Sequence, residues 1–199
     1  MTRRRRTGAI AAGCAVFWAV WLSAGQSPLQ VIKDSNQKVM AIVTGPDKAA
    51  QDIDARIGGA LDEVTSFPRI SRSILDDFRG RLTPAQFGEI DGVLQGVLKA
   101  SLVRKLKRLD VDRLAYVVES VRGASALVRT AAYYEGEKFE LDYNLELVDG
   151  RWIVVNYVFD GVDAVENYRQ QLAELFAKEP YERIIARLRK KLPSDPPGS

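Results

Sequence analysis

The segment Lys138–Phe159 limits what this chain can fold into more than any other stretch. From Lys138 to Val148 the residues alternate. Phe139, Leu141, Tyr143, Leu145 and Leu147 fall on one side, and Lys138, Glu140, Asp142, Asn144 and Glu146 on the other. A period of two belongs to a strand with one face dry and one face wet. Asp149-Gly150 follows, a pair suited to the positive φ angles of a two-residue hairpin turn. Arg151–Phe159 is then apolar on both faces, with Ile153, Val155, Tyr157 and Phe159 on one and Trp152, Val154 and Val158 on the other. Such a strand needs cover on both sides. The chain is therefore expected to build an antiparallel sheet with layers packed against it.

The same period extends backwards. Leu114–Val121 and Ala124–Tyr134 are β-rich, and Glu135-Gly136-Glu137 makes a tight turn, so the second half reads as a meander of about four strands. Before the meander the period is 3.6. Ser27–Asp47 places Val31, Ile32, Ser35, Val39, Ile42 and Val43 on one helical face, and Gly45-Pro46 stops it. A second helix is expected over Lys48–Val64, weakened by Gly58 and Gly59. A third runs over Phe67–Phe78. Thr83, Pro84 and Gln86 form a capping box that opens a long fourth helix, ending among Lys105, Lys107 and Arg108. After the meander, Asp163–Lys178 and Tyr181–Leu192 return to helix, broken at Pro180. The fold class is α+β: N-terminal helices, a curved antiparallel sheet of about four strands, and C-terminal helices, enclosing an apolar cavity in a cone-shaped, nuclear-transport-factor-like arrangement.

The first 24 residues read as an address. Arg3–Arg6 are followed by the apolar run Ala9–Leu22 and by Ser23-Ala24-Gly25, the anatomy of a Sec-type signal peptide over residues 1–24. Three alternatives fit less well. The run is shorter than the ~20 residues of a membrane anchor. A lipobox at Cys14 leaves most of the apolar core on the wrong side of the cysteine. No hydrophobic-basic completion supports a twin-arginine signal. The globular domain is expected over 25–192, with a polar, proline-rich, disordered tail over 193–199.

Charge and composition then exclude functions. Of 29 basic residues four lie in the leader, leaving 25 against 26 acidic residues in the remainder. A nearly neutral body is not that of a nucleic-acid binder. The chain has no histidine, and its one cysteine is Cys14. The domain therefore holds no disulfide and no cysteine or serine–histidine nucleophile. Any metal site would have to be all-carboxylate, so none is expected, nor any other cofactor.

Particular stretches resemble a known family. Phe67-Pro68-Arg69-Ile70-Ser71-Arg72-Ser73-Ile74-Leu75 is similar to the "DF-x-R-I-S-R-x-x-L-G" run of the MlaC-like, toluene-tolerance family of periplasmic phospholipid-binding proteins. Leu82-Thr83-Pro84-Ala85-Gln86-Phe87 resembles the start of its long helix. Gly150–Val162, from Trp152-Ile153-Val154 to Asp160-Gly161-Val162, followed by Asn167-Tyr168-Arg169-Gln170-Gln171-Leu172, resembles "W-x-V-x-D-V-x-x-E-G-V-S-L-x-x-N-Y-R-x-Q-F". The likeness covers Pro28–Leu192 in order. It departs at Ser66-Phe67, Leu75-Asp76, Ala100-Ser101-Leu102 and Val162-Asp163-Ala164.

The resemblance implies a soluble, non-catalytic periplasmic carrier. Such a carrier takes phospholipid acyl chains into its cavity and shuttles them between two partners, an inner-membrane ABC-type lipid transport complex and an outer-membrane lipoprotein complex. Transient contact with a membrane surface goes with that role. On this basis the expected lipid-binding residues are Ile74, Val93, Leu94, Val97 and Leu98 on helices, and Tyr143, Leu145, Ile153, Val155 and Tyr157 on the sheet, with Phe139, Leu141, Leu147 and Phe159 extending the same face. Singly, each of these suits a packed core as well as a cavity wall.

Arg129, set between apolar neighbours in a strand, is a candidate phosphate contact. Its competing roles are a solvated strand residue or a partner for a nearby acid. Lys99, Arg104, Lys105, Lys107 and Arg108 are candidates for docking anionic head groups or an acidic partner. So are Arg183, Arg187, Arg189, Lys190 and Lys191, although both groups also suit ordinary helix ends. The alternative functions are a cone-fold enzyme using a buried carboxylate, with Asp142 and Asp160 as candidates, and an envelope interaction module with a solid core.

Overall fold

A computed structural model describes residues 25–47, 50–108, 111 and 113–192. The expected signal segment, the tail and the first two residues of the expected second helix lie outside the described residues. Helices α1 (Pro28–Thr44), α2 (Ile53–Asp62), α3 (Phe67–Leu75) and α4 (Pro84–Arg108) precede five strands. These are β1 (Arg113–Arg122), β2 (Ser125–Tyr134), β3 (Glu137–Val148), β4 (Arg151–Phe159) and β5 (Val162–Asp163). Helices α5 (Ala164–Lys178) and α6 (Tyr181–Arg189) follow. A 3₁₀ turn over Asp76–Arg81 takes up the end of the expected third helix.

Local chemistry sets the helix ends. Ser27 caps α1 by accepting from the Gln30 amide, with Pro28 at the first helical position. The capping box of α4 closes in both directions. Gln86 N donates to Thr83 Oγ1 at 3.2 Å, and Thr83 N donates to Gln86 Oε1 at 3.0 Å. Asp163 caps α5 by accepting from Glu166 N at 2.9 Å. In α2 the weak helix former Gly58 is explained by packing. A Cβ there would stand 2.7 Å from Lys99 Cε of α4, so the bare glycine leaves room for the Lys99 side chain to cross α2. Lys99 Nζ then reaches Asp62 at 2.5 Å.

The sheet is a plain antiparallel meander in the order β1-β2-β3-β4-β5. Turns β2–β3, β3–β4 and β4–β5 each place two residues at positive φ: Glu135-Gly136, Asp149-Gly150 and Asp160-Gly161. That geometry matches the right-handed twist of the paired strands. The strand count exceeds the expected four because Val162 and Asp163 turn back onto the end of β4.

One expectation is corrected within β4. Strict alternation places Ile153, Val155, Tyr157 and Phe159 on one face. Tyr157 and Phe159 do pair with Tyr143 and Leu141, but Leu145 pairs with Val154 and Leu147 with Trp152. A bulge at Val155 absorbs one residue and reverses the facing of everything before it. Val154 therefore enters the core, fully buried, and Ile153 lies opposite Glu146 on the outer face.

The core lies between the inner face of the sheet and the helices. Ile32, Ile74, Leu94, Val128 and Val154 are each 0% exposed. α1 packs on β2, while α3 and α5 pack on β4. The segment after α2 seals the β4 edge, with Ser66 N donating to Val154 O and Val154 N to Val64 O.

Candidate functional site

The inner face of the sheet is not covered along its whole length. At the end where β1 starts and β2 turns into β3, an apolar cleft of about 350 Å³ separates sheet from helices. Its floor is Leu114, Ala132, Phe139, Leu141, Tyr143 and Phe159, drawn from four consecutive strands. Its roof is Val39 and Met40 of α1, Leu106 at the end of α4, and Val111. Exposed Arg108, Lys105, Glu140 and Asp160 line the same cleft and mark its solvated mouth.

The mouth is zoned. Lys105 and Arg108 make no ion pair among the described residues. Lys105 Nζ instead rests 4.0 Å from the centre of the Phe159 ring. On the opposite wall Glu140 pairs with Lys138 at 2.5 Å, and Asp160 accepts from the Glu140 amide at 2.7 Å. The Lys138 ammonium holds the Glu140 carboxyl below the usual carboxylate range.

The inner end is closed by tyrosines. Tyr143 OH donates to Asn36 Oδ1 at 2.9 Å, and the Tyr157 and Thr65 hydroxyls are bonded at 2.5 Å. The two rings meet edge to face at 5.6 Å. Burial pushes both phenols far above the ordinary tyrosine range. Asn36 Nδ2, beside them at the cleft, is buried without a hydrogen-bond partner. Behind Phe159 and Lys105 lies a second apolar cavity of about 50 Å³, bounded by Leu98, Leu102, Tyr157 and Tyr168 among others.

The residues expected to line a cavity are therefore distributed. Tyr143 lines the cleft, and Leu98 and Tyr157 line the small cavity behind it. Ile74, Leu94, Val97 and Leu145 sit in close-packed core, none more than 1% exposed, and Val93 packs against that core. Ile153 faces outward, and Val155, at the bulge, borders a polar groove between β4 and helices α3 and α5 and a second groove along β1–β3. Arg129 is on the outer face, with Nε 3.2 Å from Asp142 Oδ2, and is not part of the cleft lining.

Asn36, Met40, Leu106, Val111, Leu114 and Ala132 carry no cavity signal in the sequence, because each continues an ordinary amphipathic pattern. The two carboxylates considered for catalysis are both engaged in local contacts. Asp142 is raised by burial but answered by Arg129, and Asp160 is spent on a turn. Among the described residues no cluster of three or more potential ligands could hold a metal ion. No described helix is long and apolar enough to cross a membrane.

Comparison with known proteins agrees with this geometry. A phospholipid-binding protein from Ralstonia solanacearum, solved in complex with a phospholipid, superimposes with a TM-score of 0.68. That match covers 81% of this chain and 94% of the other, at 19% identity, which establishes a common fold. No curated protein matches the sequence. The family model described as MlaC protein matches residues 33–190. That span takes in every residue that lines the cleft, and the chain belongs to the MlaC family.

Proposed function

We propose that this protein is a periplasmic lipid carrier without catalytic activity. It holds phospholipid acyl chains in the cleft between β1–β4 and the ends of α1 and α4. It passes them between an inner-membrane ABC-type lipid transport complex and an outer-membrane lipoprotein complex. The single observation that carries the reading is the cleft, an apolar hollow left open between sheet and helices beside a close-packed core. The MlaC family match and the phospholipid-bound Ralstonia structure favour phospholipid as the occupant.

The energetics suit a carrier. A volume of about 350 Å³ lies at the lower end of ligand pockets, ~300–1,000 Å³. Each methylene withdrawn from water is worth ~0.8 kcal/mol. Burying about fifteen, roughly 12 kcal/mol, offsets an association cost of about 4 kcal/mol and leaves affinity on the order of micromolar. A carrier needs that range, since tighter binding slows release. Lys105 and Arg108, without an ion pair among the described residues, are the cations a phosphate would meet at the mouth. The leader over residues 1–24 delivers the chain to the periplasm.

Native mass spectrometry of protein purified from bacteria tests this. The expected spectrum contains an adduct in the phospholipid mass range that disappears on delipidation and returns after incubation with phospholipid vesicles. A chain that arrives empty and stays empty with vesicles overturns the reading.

A further inference from the structure

The two edges of the sheet are treated differently. The β4 edge is closed twice, by Val64–Ser66 near its start and by β5 near its end. Strand β1, ten residues long, pairs only with β2 among the described residues. Among the described residues no other backbone group bonds to it, so its outward-facing N–H and C=O groups meet only solvent. Soluble proteins usually protect such an edge with short length, lysines or proline. This one has none of these. It presents Val117, Val118 and Val121, which are 60%, 40% and 50% exposed. A bulge at Val117 bends the strand without covering it.

The charges on β1 select the occupant. Arg113 and Arg122 stand at its two ends, and neither makes an ion pair among the described residues. Arg113 stacks on the Tyr133 ring at 4.2 Å, a contact that uses the face of the guanidinium and not its N–H edge. The one acid in the strand, Glu119, is already accepting from Leu29 N at 2.9 Å. A second copy of the chain is disfavoured, because the symmetric antiparallel register that engages all ten residues sets Arg113 against Arg122 at both ends.

We propose that the free edge of β1 is a docking site for an extended segment of a partner protein, apolar in its middle and acidic at both ends. The segment adds to the sheet as a sixth strand. Backbone hydrogen bonds supply affinity, the three valines supply apolar contact, and Arg113 and Arg122 fix the register. The site adjoins the cleft. Leu114, one residue after Arg113, is part of the cleft floor, so a docked partner stands beside the mouth. The proposal does not require that the cleft hold lipid.

The test uses the purified protein and two labelled synthetic ten-residue peptides of alternating valine and threonine, one with glutamate at both ends and one with lysine. Fluorescence anisotropy should show the glutamate-ended peptide binding at least tenfold more tightly. V117K/V121K, at exposed positions, should weaken it at least tenfold while uptake of phospholipid from vesicles stays normal. R113E/R122E should reverse the preference toward the lysine-ended peptide. Absence of binding, equal binding of both peptides, or indifference to V117K/V121K overturns the proposal. So does a dimer in sedimentation that V117K/V121K dissociates, which would make the occupant a second copy. Lipid uptake reads the function of the cleft separately, so the two failures are distinguishable.

Discussion

The layer between sheet and helices has two halves built from the same kind of residue with opposite results. In the half toward the β3–β4 turn, Leu145 and Val154 join Ile74, Leu94 and Val97 in one core cluster, and each of these five is at most 1% exposed. In the half toward the β2–β3 turn, Phe139, Leu141 and Phe159 face Met40 and Leu106 across a hollow, and all five are only partly buried. Composition does not distinguish the halves. Cover does: α3 and α5 lie on β4, while the floor near Phe139 and Leu114 has only Val39 and Met40 toward the end of α1, the last turn of α4 and Val111 across the hollow from it. An apolar face becomes core or binding wall according to whether a helix closes over it.

Stability measurements should separate the halves most sharply. Leu94→Ala removes a side chain with no exposure, and truncations of this kind leave cavities costing about 2–5 kcal/mol. Leu106→Ala trims the wall of a hollow that already exists, so the expected loss is under about 1 kcal/mol. Urea denaturation of the two variants reads the difference. Equal losses would mean that the cleft half is as tightly packed as the other.

The tyrosines at the boundary give a pH-dependent version of the same comparison. Tyr143 and Tyr157 are fully buried, and burial raises both well above the ordinary range. In the unfolded chain they ionise near pH ~10. Below that pH both states keep the protons and stability is flat. Above it only the unfolded state releases them, so stability falls by up to about 1.4 kcal/mol per pH unit for each tyrosine. Tyr181 and Tyr116 are raised too, so Tyr143→Phe should lower the slope of a denaturation series between pH 9.5 and 11 by roughly a quarter. An unchanged slope would show that water reaches the Tyr143 hydroxyl from the cleft.

Filling the hollow should uncouple binding from stability. Leu141→Trp adds a large apolar ring to the cleft floor, where there is room for it. Uptake of phospholipid from vesicles should fall at least tenfold, with the denaturation midpoint changed little. Retained uptake would move the ligand elsewhere.

The alternation of Lys138–Val148 and the Asp149-Gly150 turn made the hairpin legible, and Thr83 and Gln86 marked the start of α4 to the residue. These signals are local, set by backbone geometry over two to four positions. The bulge at Val155 was not legible. It depends on how β4 meets β3 and the Val64–Ser66 segment at once, and nothing in Ile153-Val154-Val155 announces it. The cleft was hidden for a related reason. Periodicity reports which side of an element is apolar, and it does not report how far away the opposing element stands. Ile74 and Leu94 have the same pattern signature as Leu106 and Met40, yet the first two are core and the last two line the hollow.

Arg129 offers the smallest effect and a clean discrimination. Its sequence setting among apolar neighbours suggests a phosphate contact. The fold puts it on the sheet's outer face, paired with Asp142 and about half exposed, on the side away from Tyr143 and Leu141. Exposed ion pairs contribute about 0–1 kcal/mol, so Arg129→Ala should cost less than about 0.5 kcal/mol and leave lipid uptake unaltered. Arg108→Ala, also at an exposed arginine but at the cleft mouth, should leave stability equally untouched and weaken uptake of phospholipid two- to fivefold at low salt, where a mouth cation attracts phosphate most strongly. Vesicle uptake measured for both variants at low and high salt decides the matter. If Arg129→Ala impairs uptake and Arg108→Ala does not, the head group lies on the outer face and the apolar hollow is not its anchor.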